Sequence, residues 1–443
     1  MRPGPVSSRR HSQALFERAN RVIPGGVNTA RRKISPPLCI GRAFGAYIED
    51  LDGNAYVDYH AAYGGIFLGH SWPAVTDAVA QASQQIVLAG VGVTENEVLL
   101  AEKLVEHLPS AEQVLFCNSG SEATYHAMRL ARALTNRPYI LKFQGLYHGF
   151  HDYTLRNVMS TPERIGTRDP HSAGMLPEAI DSTLVCRYND LTDVEATFAA
   201  HENEIACVIV EPIAHNSPSI LPDKGFLEGL RQICSATSTV LIFDEVITGI
   251  RHHLGGYQTI AGVSPDLTCL AKALGNGYPI AAVAGRAEHL ERFNTTATGD
   301  VTFAGTYNGG NVPVAAALAT IETIENEPVH EHVFALGDRM RAGLSRVASK
   351  HGIDAVVAGY GSLYVMLFMD GELRSYDDVP RNDHELFVEY RRRLVKRGVF
   401  EMPENIGRNH ISYSHTEDDI DFSLMAAQDA LAEALDQRTA VAR

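Results

Sequence analysis

The sequence predicts an α/β fold, with a large domain built on a mostly parallel sheet covered by helices and a smaller α+β domain beside it. Three observations carry that expectation. Short aliphatic and β-branched runs alternate with longer segments of helical period through the middle of the chain, the pattern of strands joined by crossover helices. The flanking regions break the alternation, with a hairpin-like stretch before it and a strand set between two helices after it. With 443 residues, 45% of them hydrophobic, the chain has room for about two to three domains.

Taken in order, the opening Met1–Arg10 is polar, lacks the apolar core of a secretion signal, and is expected to be a disordered tail. Gly45–Asp58 reads as two strands joined through Asp52-Gly53-Asn54, an antiparallel hairpin. Buried strands are expected at Gln113–Cys117, Tyr139–Phe143, Ala206–Val210, Thr239–Phe243, Leu267–Leu270 and Ala281–Gly285. Helices are expected at Ser121–Thr135, Phe226–Ala236 and Val312–Asn326. Beyond them, helices near Val329–Lys350 and Asp383–Arg397 flank a strand-like Ser362–Met369. The corresponding domain limits are 1–71 for an N-terminal part of the small domain, 72–328 for the large domain and 329–443 for the C-terminal part of the small one. No internal repeat or low-complexity tract interrupts this order.

Composition excludes several classes of function. A formal charge of −15 argues against a nucleic-acid backbone or an anionic membrane as the main partner. No apolar stretch approaches the ~18 residues that a spanning helix needs. Six scattered cysteines, none in C-x-x-C spacing, suit buried reduced thiols and a cytoplasmic compartment.

The residues that carry chemistry stand at the expected strand ends. Asp244 follows the apolar run Val240-Leu-Ile-Phe, which puts a carboxylate at the carboxyl end of a central strand, where open α/β sheets bind ligands. Lys272 lies just past the next strand in Leu270-Ala-Lys-Ala-Leu-Gly, a setting in which an unpaired ammonium is costly to bury. An amine that can hold an aldehyde as a Schiff base, with an anion to keep a pyridine nitrogen protonated, is the pairing that pyridoxal phosphate requires. Phe116-Cys-Asn-Ser-Gly-Ser-Glu122 ends a strand in small polar residues and opens a helix, so its amides suit a phosphate, although an ordinary N-cap reads the same way. Tyr147-His148-Gly149 offers an aromatic face to a planar ring, with a core tyrosine as the alternative, and Gly305-Thr306-Tyr307-Asn308-Gly309 suits either a phosphate or a plain turn. No H-E-x-x-H, dinucleotide fingerprint or P-loop is present, and the histidine pairs lack further ligands, so metal, nicotinamide and nucleoside-triphosphate readings are weak.

Together these segments resemble class III aminotransferases of pyridoxal-phosphate fold type I, in particular the glutamate-1-semialdehyde 2,1-aminomutases, from Val22-Ile-Pro-Gly-Gly-Val-Asn28 to His415-Thr-Glu-Asp-Asp-Ile-Asp421. The resemblance implies pyridoxal 5'-phosphate as cofactor, Lys272 as the Schiff-base lysine and Asp244 as the pyridinium partner. It further implies cofactor contacts from Ser119, Gly120, Ser121, Tyr147, Glu211, Asn216 and Val246, with Asn216 beside the phenolic oxygen. Thr306 would reach the phosphate across a homodimer with shared active sites. For the substrate it implies Tyr63 in the pocket, and a carboxylate bound by Arg32, with the adjacent Arg31 as the alternative. Two departures separate the chain from the mutases. The expected Gly/Ser-rich lid is replaced by the charged, proline-bearing Arg156–Ser182, and the C-terminal acidic position gives way to Asn405-Ile-Gly-Arg-Asn409, where Arg408 suits a second carboxylate. The expectation is therefore a transaminase acting between a small-molecule amino donor and a keto or aldehyde acceptor. The alternatives are an intramolecular mutase and, more remotely, a cofactor-binding protein without turnover.

Overall fold

The computed structural model describes residues 3–441. The chain divides into two units. The smaller comprises the residues up to Trp72, Glu331–Gly371 and the residues from Arg381 onward; the larger comprises Pro73–His330 and Glu372–Pro380.

In the smaller unit, β1 (Ile40–Phe44), β2 (Tyr47–Asp50) and β3 (Ala55–Asp58) form an antiparallel ladder. The β2–β3 pairing is the hairpin expected from the sequence. Its turn is locked by Asp50, whose Oδ1 accepts the N–H groups of Asp52 (3.0 Å) and Asn54 (2.9 Å). The opening segment departs from the expected disorder: Val6 N–H donates to the Lys396 carbonyl (3.0 Å), Ser7 N–H donates to Asn54 Oδ1 (2.9 Å), and a helix starts at Arg10. Met1 and Arg2 lie outside the described residues.

The larger unit holds a seven-stranded sheet. Its strands are β4 (Gln113–Cys117), β5 (Tyr139–Phe143), β6 (Thr183–Cys186), β7 (Ile205–Val210), β8 (Val240–Asp244), β9 (Leu267–Leu270) and β10 (Ala281–Gly285), in the order β4-β10-β9-β8-β7-β5-β6. Only β10 runs against its neighbours. The edge strand β6 was not among the strands expected from the sequence. The remaining strands of the smaller unit are β11 (Val356–Ala358), β12 (Leu363–Leu367), β13 (Val399–Phe400) and β14 (Asn409–His410). Strand β13 joins β3 in parallel, so the N- and C-terminal parts of the chain share one sheet.

The helix Gly120–Thr135 covers the large sheet with Ala123, Ala127, Leu130 and Ala131, a helical stripe whose small side chains let it lie close on Ile140, Cys207, Ile209 and Ile242. Each fully buried Leu or Ile of such a core contributes about 1.5–3 kcal/mol. Five of the six cysteines are buried, and burial raises the thiols of Cys117 and Cys207 to about 12, so they are inert core residues. Among the described residues no helix is long and apolar enough to cross a membrane.

Buried histidines make the fold acid-sensitive. Burial lowers His60, in the smaller unit, and His151, in the larger, to about 4. Their unfolded pKa is about 6.5. Between about 6.5 and 4 the unfolded chain therefore binds more protons than the folded one, and stability falls as pH falls through that window. Thermal melts should show a declining midpoint from pH 7 to 4.5; a constant midpoint would contradict the burial of these rings as neutral imidazoles.

Candidate active site

Parallel strands bring their carboxyl ends to one edge of the sheet, and there a cavity of about 280 Å3 opens. It is lined by residues from segments far apart in sequence: Asn118, Ser119, Gly120 and Ser121 after β4, Tyr147 and His148 after β5, Glu211 and Asn216 after β7, Asp244 and Val246 at the end of β8, and Lys272 after β9. Nine residues expected at a cofactor site thus share one wall: Ser119, Gly120, Ser121, Tyr147, Glu211, Asn216, Asp244, Val246 and Lys272.

Local chemistry explains each placement. Ser119 is the N-cap of the helix Gly120–Thr135, its side chain accepting the Glu122 N–H (3.3 Å). The Glu122 carboxylate reaches back to the N–H of Asn118 (2.7 Å) rather than to that of the cap. The first amides of a 16-residue helix thus face the cavity with the positive end of its dipole. Gly120 is required by close approach: a Cβ there would stand 2.9 Å from a Val246 methyl. Gly149, at φ +106°, likewise brings its loop onto Ser121, 3.0 Å from the Cα that a Cβ would meet. Lys272 adopts φ +50°, a left-handed conformation that costs a non-glycine residue about 1–3 kcal/mol and clusters at functional sites.

Asp244 is 4% exposed and doubly held: its Oδ2 stands 2.7 Å from His148 Nδ1, and its Oδ1 accepts the Val246 N–H (3.1 Å). Because a carboxylate only accepts, the imidazole proton lies on Nδ1. His148 Nε2 is buried without a hydrogen-bond partner among the described residues. This histidine was not among the residues singled out from sequence. The Tyr147-His148-Gly149 triplet drew attention to its neighbour, but its pairing with Asp244 is purely tertiary. Glu211 Oε1 accepts from the Tyr147 N–H (3.1 Å) and from Asn216 Nδ2 (2.9 Å), so these two expected cofactor contacts are braced by a third.

The expected substrate residues form a separate group in the smaller unit. Tyr63 lies at φ +59°, after Ala61 and Ala62, which are also left-handed. Its hydroxyl is buried without a hydrogen-bond partner among the described residues, and its ring stacks edge-on against His60, with centroids 4.1 Å apart. Burial raises Tyr63 to about 12; Glu404 adds to this, while Arg31, Arg32 and Arg408 oppose it. The three arginines therefore converge electrostatically on one tyrosine. Arg31 pairs with Glu404 (3.3 Å). Thr306 joins neither group. It is exposed, on a turn whose Asn308 Oδ1 accepts from Asn118 Nδ2 (3.0 Å) at the cavity rim.

A family model described as aminotransferase class-III matches residues 28–424. The chain belongs to that family. This class III aminotransferase is 39% identical over 429 residues to the glutamate-1-semialdehyde 2,1-aminomutase of Methanopyrus kandleri, covering 97% of this chain and 98% of that protein. Its fold is similar to the crystal structure of an omega-transaminase from Sphaerobacter thermophilus, with a TM-score of 0.89, 34% identity, and 96% of this chain and 97% of that one covered. It is also similar to the FumI protein of Sphingopyxis sp., solved with pyridoxal phosphate as its internal aldimine, with a TM-score of 0.84, 31% identity and 97% of each chain covered. The aminotransferase therefore has the fold type I architecture expected from its sequence, and it is an enzyme.

Proposed function

We propose that this aminotransferase uses pyridoxal phosphate to move an amino group between an amino acid and a keto or aldehyde acceptor, with Lys272 and Asp244 as its catalytic residues. The observation that carries the reading is one cavity in which an amine, a carboxylate and the N-terminus of a long helix meet. Its donor set fits the cofactor: helix amides and hydroxyls for a phosphate, Asp244 for a ring nitrogen, Tyr147 for a ring face and Lys272 for an aldehyde. When bound, the cofactor supplies a carbonyl carbon that bonds amines and a protonated ring that withdraws electrons from the carbon losing its proton.

The chain's own residues do the rest. Ser119, Gly120 and Ser121 hold the phosphate, and Val246 packs beneath Gly120. Asn216 hydrogen-bonds the ring's oxygen while Glu211 fixes its amide. Lys272 would anchor the cofactor through Nζ and would carry the proton between the substrate carbon and the cofactor's C4′. Asp244 keeps its charge aimed by virtue of His148. Arg32 and Arg408 bind substrate carboxylates, with Tyr63 shaping the pocket between them. Thr306 serves the partner's phosphate in a homodimer. Supporting that dimer, Val91 (84% exposed), Val93 and Tyr307 (68%) leave apolar surface open, and Asn311 ties the segments that carry them by donating to the Ile86 carbonyl (3.0 Å) and accepting from Asn96 (2.8 Å). Reduced, buried thiols suit a cytoplasmic enzyme.

The second reading, an intramolecular mutase, is favoured by the identity to the Methanopyrus kandleri protein. Against it stands the 156–182 segment, whose Arg156 is anchored to the carbonyls of Ile180 (2.9 Å) and Thr183 (2.7 Å) and which lacks a Gly/Ser-rich lid. The deciding experiment supplies holoprotein with a panel of amino acids and follows the pyridoxamine form and the released keto acid. Transamination requires a donor and then an acceptor, with dicarboxylates preferred if Arg32 and Arg408 both bind. Turnover of glutamate-1-semialdehyde alone, with no keto acid released, would make the mutase the correct reading. A coloured protein inert to every amine would leave only binding.

A further inference from the structure

One fully buried cation in the larger unit has no part in the chemistry above. Lys142, on β5, is 0% exposed, and its ammonium donates to three backbone carbonyls: Leu146 (2.7 Å), Thr154 (2.9 Å) and Arg156 (2.7 Å). These carbonyls belong to the loop that leaves β5, turns past the cavity and returns to the Arg156–Pro170 bridge. Lysine is the side chain that offers three N–H donors from a single atom. An apolar residue would orphan three converging carbonyls, and the planar fork of arginine cannot point three donors at one spot.

The position of the first carbonyl matters. The Leu146 C=O and the Tyr147 N–H belong to the same planar peptide group and point in opposite directions. Lys142 binds the first, and Glu211 Oε1 accepts from the second (3.1 Å). The peptide that carries Tyr147 into the cavity wall is thus held between a buried cation and a buried anion.

We propose that Lys142 is a positioning residue of this enzyme: with Glu211 it grips the Leu146–Tyr147 peptide at both polar ends and thereby fixes the Tyr147 ring against the cofactor. The inference rests on the cofactor reading given above. Other contacts steady the same arm, since the Thr124 hydroxyl donates to the His148 carbonyl (2.7 Å) and His148 Nδ1 meets Asp244. None of them touches the Leu146–Tyr147 peptide. Glu211 also favours the charged form of Lys142. Burial lowers Lys142 to about 7, Arg156 acts in the same direction and Glu211 opposes both. A lysine held at such a disadvantage, with every donor used, marks a site where an apolar residue would fail to do the same job.

The test compares wild type with Lys142→Met, which keeps length and packing and removes all three donors. Three quantities are read: local hydrogen exchange in protein free of cofactor, the dissociation constant for pyridoxal phosphate, and the visible circular dichroism of the bound cofactor, which reports ring orientation. Exchange across residues 144–157 should rise about tenfold or more, the strength of hydrogen bonds to a charged group, with no change in the other strands of the sheet. Cofactor affinity should fall by a similar factor, and the dichroic band should lose amplitude. Faster exchange with wild-type affinity and dichroism would overturn the proposal, because Lys142 would then support the loop without placing the ring; so would wild-type values in all three. If Lys142→Met does not fold, Glu211→Gln decides: it keeps an oxygen for the Tyr147 N–H but removes the countercharge, so a smaller shift in each quantity is expected and none overturns the clamp. A wild-type protein that binds no pyridoxal phosphate would defeat the cofactor reading instead, and the grip on the peptide would then stand or fall on exchange alone.

Discussion

Lys272→Ala lowers kcat by at least about 10^4-fold, the upper range of what a positioned acid–base group supplies, because one amine both anchors the cofactor and moves the proton. The fold should survive. The native conformation at position 272 has φ +50°, so a lysine there is already strained, and alanine adds nothing that the neighbouring Ala271 and Ala273 do not already pack. Borohydride reduction of wild-type holoprotein followed by peptide mapping should label Lys272 and leave Lys142 unmodified, since the ammonium of Lys142 is enclosed by three carbonyls. A label elsewhere, or a Lys272→Ala variant with wild-type turnover, would remove this residue from the mechanism. Added small amines offer a further check: they should restore part of the proton transfer without restoring the covalent attachment.

Asp244→Asn should lower kcat by about 10^2 to 10^3-fold, the scale on which one well-placed charge stabilises a developing opposite charge in a dry site. The substitution preserves shape. Its carbonyl oxygen can still accept from the Val246 N–H or from His148 Nδ1, but not carry the negative charge that a protonated ring nitrogen needs. Burial makes the difference large: Asp244 is 4% exposed, so solvent does little to screen the lost charge. Steady-state kinetics on Asp244→Asn, with cofactor content measured in the same sample, separates lost chemistry from lost binding. A loss below about threefold at full cofactor occupancy would assign the carboxylate a structural role.

The two catalytic candidates were legible for the same reason. Each follows an apolar run short enough to be only a strand, and polar residues directly after such runs stand at the carboxyl edge of a parallel sheet. Ser119, Gly120 and Ser121 were legible from the strand-to-helix junction. Tyr63 and Arg408 stood out only through family resemblance, because nothing in their local pattern signals a site. The left-handed run Ala61-Ala62-Tyr63 is a backbone property that no side-chain periodicity reports. The expected disorder of the opening residues failed at Val6 and Ser7, whose backbone partners, Lys396 and Asn54, are distant in sequence.

Local pattern by itself determined six of the seven strands of the large sheet, its mostly parallel character and the strand-end positions of Lys272 and Asp244, because period and strand-end polarity are written in neighbouring residues. Only the tertiary structure decided that His148 orients Asp244 and that Lys142 and Glu211 hold one peptide between them. Those arrangements depend on hydrogen bonds across the sheet's edge, between loops that share a location only after the strands have paired. A sequence records which groups can donate or accept; folding alone selects which of them meet.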